Sequence, residues 1–189
     1  MNSQQSAKVL LPLVVHCSLL IEIMIRPVVM VPDARLKTRC DAVEEFNSEL
    51  ADLIADLEDT RAASPGCVGI AAPQIGALQR VAIVDTSGHK KHGDASSGYL
   101  VLINPRLTQT HGRRVGREGC LSLPDFTANV ERAEVINVEY YNQDGKICQL
   151  EARDFEAVVI QHEIDHLDGI LFLDRVANLK TDVFPRRKK

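Results

Sequence analysis

Two histidines, His162 and His166, stand four residues apart in the apolar stretch VVIQHEIDHLDGILF, and Glu163 directly follows the first. The stretch predicts a helix that begins near Asp154, a good N-cap, and ends at Gly169, a good C-terminal glycine. One face of this helix carries three apolar side chains and then both histidines: Phe155, Val158, Val159, His162 and His166. The histidines therefore point into the core.

Histidines at positions i and i+4 of a helix project side by side, so both can bind a single metal ion. Glu163 points slightly aside, where it can hold a metal-bound water and accept its proton. Two core histidines satisfied by hydrogen bonds are the structural alternative, because the pattern HExxH also arises by chance. The apolar face and the adjacent glutamate favour a metal site.

A third ligand has to come from elsewhere in the chain. In the extended pattern HExxHxxGxxH, the third histidine would stand at Phe172, which cannot bind metal, and no glutamate follows His166. Upstream, Cys120 lies in the glycine-bearing segment GREGCLSLPD, and Cys67 lies in a loop as the second candidate. A thiolate and two imidazoles would leave one ligand position open for water.

The rest of the chain predicts small strands and one further helix. Apolar residues at helical spacing predict an amphipathic helix from about residue 42 to 62, with Asp41 as its N-cap. Four strand-like runs follow, of which the last two flank a hairpin turn, NQDG: RVAIVD, YLVLINP, EVINVEYYN and KICQLEA. Between the first two runs lies a polar segment with His89 and His92, which predicts an exposed loop. We expect an α+β fold in which small antiparallel sheets surround a buried metal-binding helix.

Charge and cysteine content limit the classes of partner and compartment. The net charge of −4 gives no argument for binding nucleic acid in general, and we expect no DNA partner. The five cysteines are an odd and scattered set, which argues against a disulfide-stapled secreted protein. A cytoplasmic protein without a membrane anchor fits this composition.

The two ends of the chain are predicted separately from the middle. Residues 1–23 contain an apolar run, residues 9–23, which is interrupted by polar residues and is too short for a bilayer span, since a span needs about 20 apolar residues. They are expected to be either an extension ahead of a true start at Met24 or an organelle-targeting segment. Residues 24–180 predict a single domain. Residues 181–189 predict a basic tail, either solvated or in contact with an anionic surface such as RNA.

Three motifs, in order, resemble those of the peptide deformylase family. The family pattern runs GxGxAAxQ, EGCxS and QHExxH, and this chain has CVGIAAPQIG at 67–76, EGCLS at 118–122 and QHEIDHLDG at 161–169. The similarity extends from about residue 25 to 176. One departure stands out, since Cys67 replaces the first glycine of the first motif. This thiol is expected to lie near the substrate.

The resemblance implies an enzyme that removes the formyl group from the N-terminal formylmethionine of newly made polypeptides. Cys120, His162 and His166 would bind one divalent metal ion, with Fe²⁺ favoured and Zn²⁺ possible. A hydroxide on that ion would attack the formyl carbonyl. Glu163 would act as general base and then pass the proton to the leaving amine.

The resemblance also implies the residues that surround the reacting group. Gln74 and the backbone N–H of Leu121 would donate hydrogen bonds to the oxyanion, as the matching positions of the family do. Small and apolar residues are candidates for substrate binding: Val68, Gly69, Gly119, Val158 and Val159. An ion pair between Glu118 and Arg132 would hold the cysteine loop. Because the substrate emerges at the ribosome, a transient encounter with the ribosome is expected.

Two alternatives remain open at this level. One is a metallopeptidase that cleaves internal peptide bonds, although Phe172 counts against the largest such class. The other is an inactive metal-binding module associated with the ribosome. The presence of Glu163 and Gln74 counts against a module that only binds, because binding needs neither residue.

Overall fold

The computed structural model describes residues 23–89 and 96–186. The predictions for residues 1–22, for His92 and for residues 187–189 lie outside these ranges. Within them the chain forms α-helices and two antiparallel sheets. The strands are β1 Gly69–Ala71, β2 Val81–Asp85, β3 Tyr99–His111, β4 Arg114–Cys120, β5 Leu123–Arg132, β6 Val135–Tyr141, β7 Ile147–Arg153 and β8 Val183–Pro185. The helices are α1 Ser48–Ala62, α2 Asp154–Leu167 and α3 Leu179–Asp182.

The larger sheet has five strands in the order β1-β2-β3-β6-β7. Different helices cover its two faces. Alternate residues of a strand point to opposite faces, so neighbouring residues of β2 contact different helices. Ile83 packs on one face with Leu57 of α1, whereas the next residue, Val84, packs on the other with Ile160 of α2. The metal-binding helix predicted from the sequence is therefore α2, buried against the sheet.

The smaller sheet has three strands in the order β4-β5-β8. Its inner face packs with the segment after α2, where Phe172 is buried beside Ala128 and Val130. Cys120 ends β4 and belongs to this cluster. The sheet thereby brings the cysteine of the EGCLS motif toward the histidines of α2.

The α+β prediction is confirmed, but the start of the first helix was wrong. Helix α1 begins at Ser48, and its N-cap is Asn47, whose side chain accepts a hydrogen bond from the backbone of Leu50. The preceding segment is not helical. Both backbone groups of Val43 bond instead to the Asn104 side chain, at 2.9 and 2.8 Å. Apolar spacing did not distinguish this segment from the helix.

The second helix and the strands are close to their predicted bounds. Helix α2 begins at Asp154, but Arg153 is the N-cap, and the Asp154 carboxylate pairs with Arg114 at 2.7 Å. Gly169 follows the helix with φ of 72°, as a C-terminal glycine does. Four strands were missed, namely β1, β4, β5 and β8. Strand β8 lies within the segment interpreted as a tail, and the boundary of the domain at residue 180 stays a prediction.

Candidate active site

One Cys and two His side chains converge at the end of β4. The Sγ of Cys120 and a ring nitrogen from each of His162 and His166 lie within 4.8 Å of one another. The Sγ of Cys120 is 3.2 Å from Nε2 of His166. Cys120 and His166 are buried, and His162 is partly buried. Among the described residues, these three are the candidate metal ligands, and Cys67 does not join them.

The surroundings of Cys120 favour a thiolate, the form that binds metal. Burial by itself would raise the pKa of this thiol, but the His166 and His162 rings outweigh burial and hold the pKa well below its ordinary value. The backbone N–H of Ser122 and the Nε2 of Gln74 each point at the sulfur from 3.4 Å. A soft sulfur ligand beside two imidazoles suits iron or zinc.

Glu118 fixes the tautomer of His162. Burial opposes ionisation of Glu118, but hydrogen bonds from His162 and Arg132 outweigh it and lower its pKa to about 2. An ionised carboxylate can only accept hydrogen bonds, so Nδ1 of His162 donates to Oε2 of Glu118 across 2.8 Å. In the neutral ring that a metal ligand requires, Nε2 is then the nitrogen without a proton and the one available to an ion.

A chain of buried charges continues from Glu118 to the surface. Arg132 donates to both oxygens of Glu118, at 2.8 and 3.0 Å, and it also pairs with Asp165. Asp165 in turn pairs with Arg175 at 2.6 Å. The ion pair predicted between Glu118 and Arg132 is therefore present, and two further residues extend it.

Glu163 is buried beside the three candidate ligands, and its Oε2 has no hydrogen-bond partner among the described residues. Burial raises the pKa of this carboxyl to about 7, despite the opposing effect of the two histidines. A buried carboxylate oxygen without a partner is costly unless a water or ion completes the site. This orphaned oxygen, together with a Cys-His-His donor set, fits a metal centre with a water ligand.

Gly69 leaves the room that Glu163 needs. A Cβ atom at Gly69 would lie 2.5 Å from Oε1 of Glu163 and 3.0 Å from Cγ1 of Val159. A methyl group would therefore displace the carboxylate. Gly69 is therefore needed for its lack of a side chain and not for its backbone conformation, since its φ is not positive.

Gln74 lies in a 3₁₀-helix, Ala72–Ile75, that follows β1. Its Oε1 accepts the backbone N–H of Ala71 at 2.9 Å, which directs the amide NH₂ toward Cys120 and Ser122. The side chain is 2% exposed, so its orientation is fixed by burial as well. Leu121 follows Cys120 and lines the same pocket.

A pocket of about 430 Å³ opens in front of these groups. Four of the five predicted substrate-binding residues line it, namely Val68, Gly119, Val158 and Val159. The fifth, Gly69, lies behind Glu163 instead. The wall and mouth also include residues that the sequence did not suggest: His89, Phe155, Arg114, Arg117 and Arg186.

The comparison with known proteins agrees with this geometry. A family profile described as polypeptide deformylase matches residues 25–182. The chain belongs to the polypeptide deformylase family. The peptide deformylase of Acidobacterium capsulatum is 42% identical over 164 residues, which is 87% of this chain and 94% of that protein.

Solved deformylase structures share the fold. The enzyme from Legionella pneumophila is 38% identical, with a TM-score of 0.75, over 82% of this chain and 88% of that one. A deformylase from Acinetobacter baumannii, described as bound to Met-Ala-Ser, is 33% identical with a TM-score of 0.77, over 82% of this chain and 100% of that one. Within the described ranges, no helix of this deformylase is long and apolar enough to cross a membrane.

Cys67, the departure from the family glycine, lies beneath the site and does not line its pocket. Its Sγ donates to the carbonyl of Gly69 at 3.1 Å. Burial, assisted by the charge of Glu163, raises the pKa of this thiol to about 12, so it keeps its proton as a donor. The Cys67 thiol therefore stabilises the strand that carries Gly69, whereas the sequence analysis predicted that this thiol would lie near the substrate.

His89 was predicted to be exposed, but it is partly buried and stacks on Phe155, with ring centroids 4.3 Å apart. Both rings line the deformylase pocket. Nothing in the polar segment around His89 indicates this contact, because it depends on where the segment folds back over α2. The predicted apolar face of α2 does include Phe155.

Proposed function

We propose that this protein is a metal-dependent hydrolase that removes the formyl group from the N-terminal formylmethionine of newly made polypeptides. The observation that carries the proposal is the convergence of Cys120, His162 and His166 with the unpartnered carboxylate of Glu163 in one pocket. The deformylase described as bound to Met-Ala-Ser supports it, because that peptide is what remains when formyl-Met-Ala-Ser loses formate.

Cys120, His162 and His166 would hold the ion, which when bound acts as a Lewis acid and lowers the pKa of a water ligand. Glu163 accepts a proton from the attacking water and passes it to the amine, so that the C–N bond breaks and formate leaves. The NH₂ of Gln74 and the backbone N–H of Leu121 donate to the oxyanion that develops on the formyl oxygen. Glu118 keeps the His162 ring in the ligating tautomer.

We propose Fe²⁺ as the ion, with Zn²⁺ as the alternative, at one ion per chain. Support comes from the donor set, because a thiolate with two imidazoles suits both metals. Metal analysis of protein purified without oxygen, beside protein purified in air, tests this assignment. Iron at about one ion per chain in the anaerobic sample is the expected result, and zinc in both samples would favour the alternative.

The methionine side chain would lie against the apolar wall formed by Val68, Val158 and Val159. Gly119, near the end of β4, would present its backbone to the substrate beside the candidate metal ligand Cys120. The proposed role of Gly69 in substrate binding is indirect, through the position of Glu163. A formyl group carries only hydrogen on its carbonyl carbon, so a compact site can exclude larger acyl groups.

We further propose a transient encounter with the ribosome, assisted by the basic tail, residues 186–189, and a cytoplasmic location. An organelle is the alternative if residues 1–23 are a targeting segment. Residues 24–180 would form the catalytic domain. Replacing Arg187, Lys188 and Lys189 of this tail with alanine should lower co-sedimentation with ribosomes at low salt and have less effect at high salt. Unchanged binding would remove the tail from this proposal.

The activity is tested with three peptides on metal-loaded protein: formyl-Met-Ala-Ser, acetyl-Met-Ala-Ser and an unblocked peptide of similar length. The expected result is rapid release of formate, with little acetate and no cleavage of the unblocked peptide. Cleavage of internal peptide bonds would favour a metallopeptidase. A metal-loaded protein that hydrolyses none of the three would favour the inactive binding module.

A further inference from the structure

We propose that the mouth of the pocket is a binding subsite for a carboxylate of the substrate peptide, formed by Arg117 and Arg186. The carboxylate would come from an acidic side chain at the third or fourth residue of the formylated peptide. The inference rests on the proposed function and adds a substrate preference to it. Four observations support the assignment.

The first observation is that Arg117 and Gly119 lie on the same, outer face of the small sheet. In β4, Glu118 and Cys120 are buried, so the alternate residues Arg117 and Gly119 project from the outer face. The register pairs Gly119 with Thr127 of β5, and Thr127 with Phe184 of β8. One continuous outer surface of the small sheet therefore leads away from the metal ligand.

The second observation is the position of Arg186 directly beside the candidate metal site. Its backbone N–H donates to the carbonyl of Asp125 at 2.7 Å, which extends the pairing of β8 by one residue. Its Nη2 lies 3.3 Å from where a Cβ of Gly119 would be. The guanidinium group of Arg186 thus lies against Gly119, the residue before Cys120. A peptide that extends out of the pocket would pass this point.

The third observation is that Arg117 is held in place. Its Cζ lies 3.5 Å from the ring centroid of Phe184, and its Nη1 donates to Oγ1 of Thr127 at 3.2 Å. A guanidinium stacked on an aromatic ring loses less freedom when it binds a further ligand. Its remaining N–H groups can form charge-assisted hydrogen bonds with a carboxylate.

The fourth observation is charge. Arg114, the third arginine at the mouth, is paired with Asp154. Neither Arg117 nor Arg186 has an ion-pair partner within residues 23–89 and 96–186. Two uncompensated positive charges at the mouth contrast with the net charge of −4 for the chain. The local charge therefore favours an acidic group on the peptide.

The test compares formylated, C-terminally amidated tetrapeptides that carry Glu, Gln or Lys at the third or fourth position. We expect kcat/KM to follow the order Glu, Gln, Lys, with about tenfold between Glu and Lys, because both arginines are solvent-accessible and their charges are screened. The difference should lie in KM with kcat unchanged, and it should shrink at high salt. Binding of the deformylated Glu and Lys products gives a second readout that does not depend on turnover.

The variants R117Q and R186Q should each reduce the discrimination, and the double variant should abolish it. The matched control is R113Q, which removes an exposed arginine that pairs with Glu131 and does not line this pocket. It should leave the discrimination unchanged. A free-carboxylate version of the Gln peptide shows whether the terminal carboxylate can replace the acidic side chain.

Equal kcat/KM for the Glu and Lys peptides would overturn the subsite, and so would a preference that persists in the double variant. In either case, normal hydrolysis of the Gln peptide would leave the proposed function intact. If metal-loaded protein hydrolysed none of the formylated peptides, the proposed function itself would be wrong, and the subsite would fall with it.

Discussion

Oε2 of Glu118 lies 2.8 Å from Nδ1 of His162, and this contact joins strand β4 to helix α2. Glu118 stands two residues before Cys120, so one short segment supplies both a candidate metal ligand and the acceptor that orients another. Arg132 holds the other side of the carboxylate. The geometry of the candidate metal site therefore depends on a buried ion pair that does not contact the metal position.

Replacing Arg132 with alanine should destabilise both the fold and the metal site. The variant removes Arg132 from between two buried carboxylates, Glu118 and Asp165, and leaves only His162 and Arg175 to compensate their charges. Removing one partner of a buried ion pair typically costs about 3–5 kcal/mol. Glu118, the hydrogen-bond partner of His162, would lose the arginine that holds it. Disturbing such an outer partner of a ligating histidine typically lowers metal affinity about 10–100-fold. Thermal unfolding and competition with a metal chelator measure the two effects.

The matched control for Arg132 is Arg106→Ala. Arg106 also pairs with a glutamate, but its side chain is 67% exposed, whereas that of Arg132 is 4% exposed. An exposed pair contributes at most about 1 kcal/mol, so this variant should unfold near the wild-type temperature. Equal unfolding temperatures and equal metal affinities in the two variants would contradict the role given to the buried ion pair.

Gly69→Ala should lower turnover while the metal is retained. The added methyl group would approach within 2.5 Å of Oε1 of Glu163, so the carboxylate must move away from the water it is to deprotonate. A displacement of about 1 Å can cost about 100-fold in rate. Gly88→Ala is the control, because nothing lies within 4 Å of the added atom. Wild-type kcat in the Gly69 variant would disprove this account of the glycine.

Gln74→Ala should reduce kcat by about 10²–10³-fold, the usual effect of removing one oxyanion donor. The Gln74 side chain also accepts the N–H of Ala71, so some loss of stability is expected as well. Steady-state kinetics at a temperature well below unfolding separates the two effects. A variant that keeps its kcat and loses only stability would show that Gln74 has a structural role.

Alkylation at about pH 8 should modify Cys148 well before Cys67 or Cys40. The thiolate is the reactive form, and burial raises the pKa of Cys67 to about 12 and that of Cys40 to about 11. At this pH both thiols are almost entirely protonated, and their labelling should increase as the pH rises. Cys148 is partly exposed on β7. Peptide mapping by mass spectrometry would contradict the prediction if Cys67 reacted as fast as Cys148.

Helix α2, which carries two of the candidate metal ligands, could be predicted from the sequence because its pattern is local. Apolar spacing, a terminal glycine and the two histidines all belong to one segment, and α2 ends close to the predicted position. The start of α1 could not be predicted in this way, since Val43 is held by Asn104, which lies 61 residues away. A hydrogen bond from a distant side chain leaves no local pattern in the sequence.

The small sheet was missed for a related reason. Strand β4 contains two glycines and shows no regular alternation of apolar and polar residues, and both β4 and β5 contain charged residues. The pairing of β5 with β8 brings Arg186 to the pocket, across more than 60 residues of sequence from Gly119. The motifs predicted the residues next to the metal position, whereas the mouth of the pocket depends on this long-range pairing.

The central claim is that Glu163 performs catalysis and is not needed to hold the metal. The measurement is formate release from formyl-Met-Ala-Ser, with metal quantified in the same anaerobic samples of wild type, Glu163→Ala and the exposed control Glu151→Ala. We expect the Glu163 variant to retain about one ion per chain and to lose about 10²–10⁴-fold in kcat, while the control matches the wild type. A Glu163 variant with full metal and wild-type turnover would contradict the account.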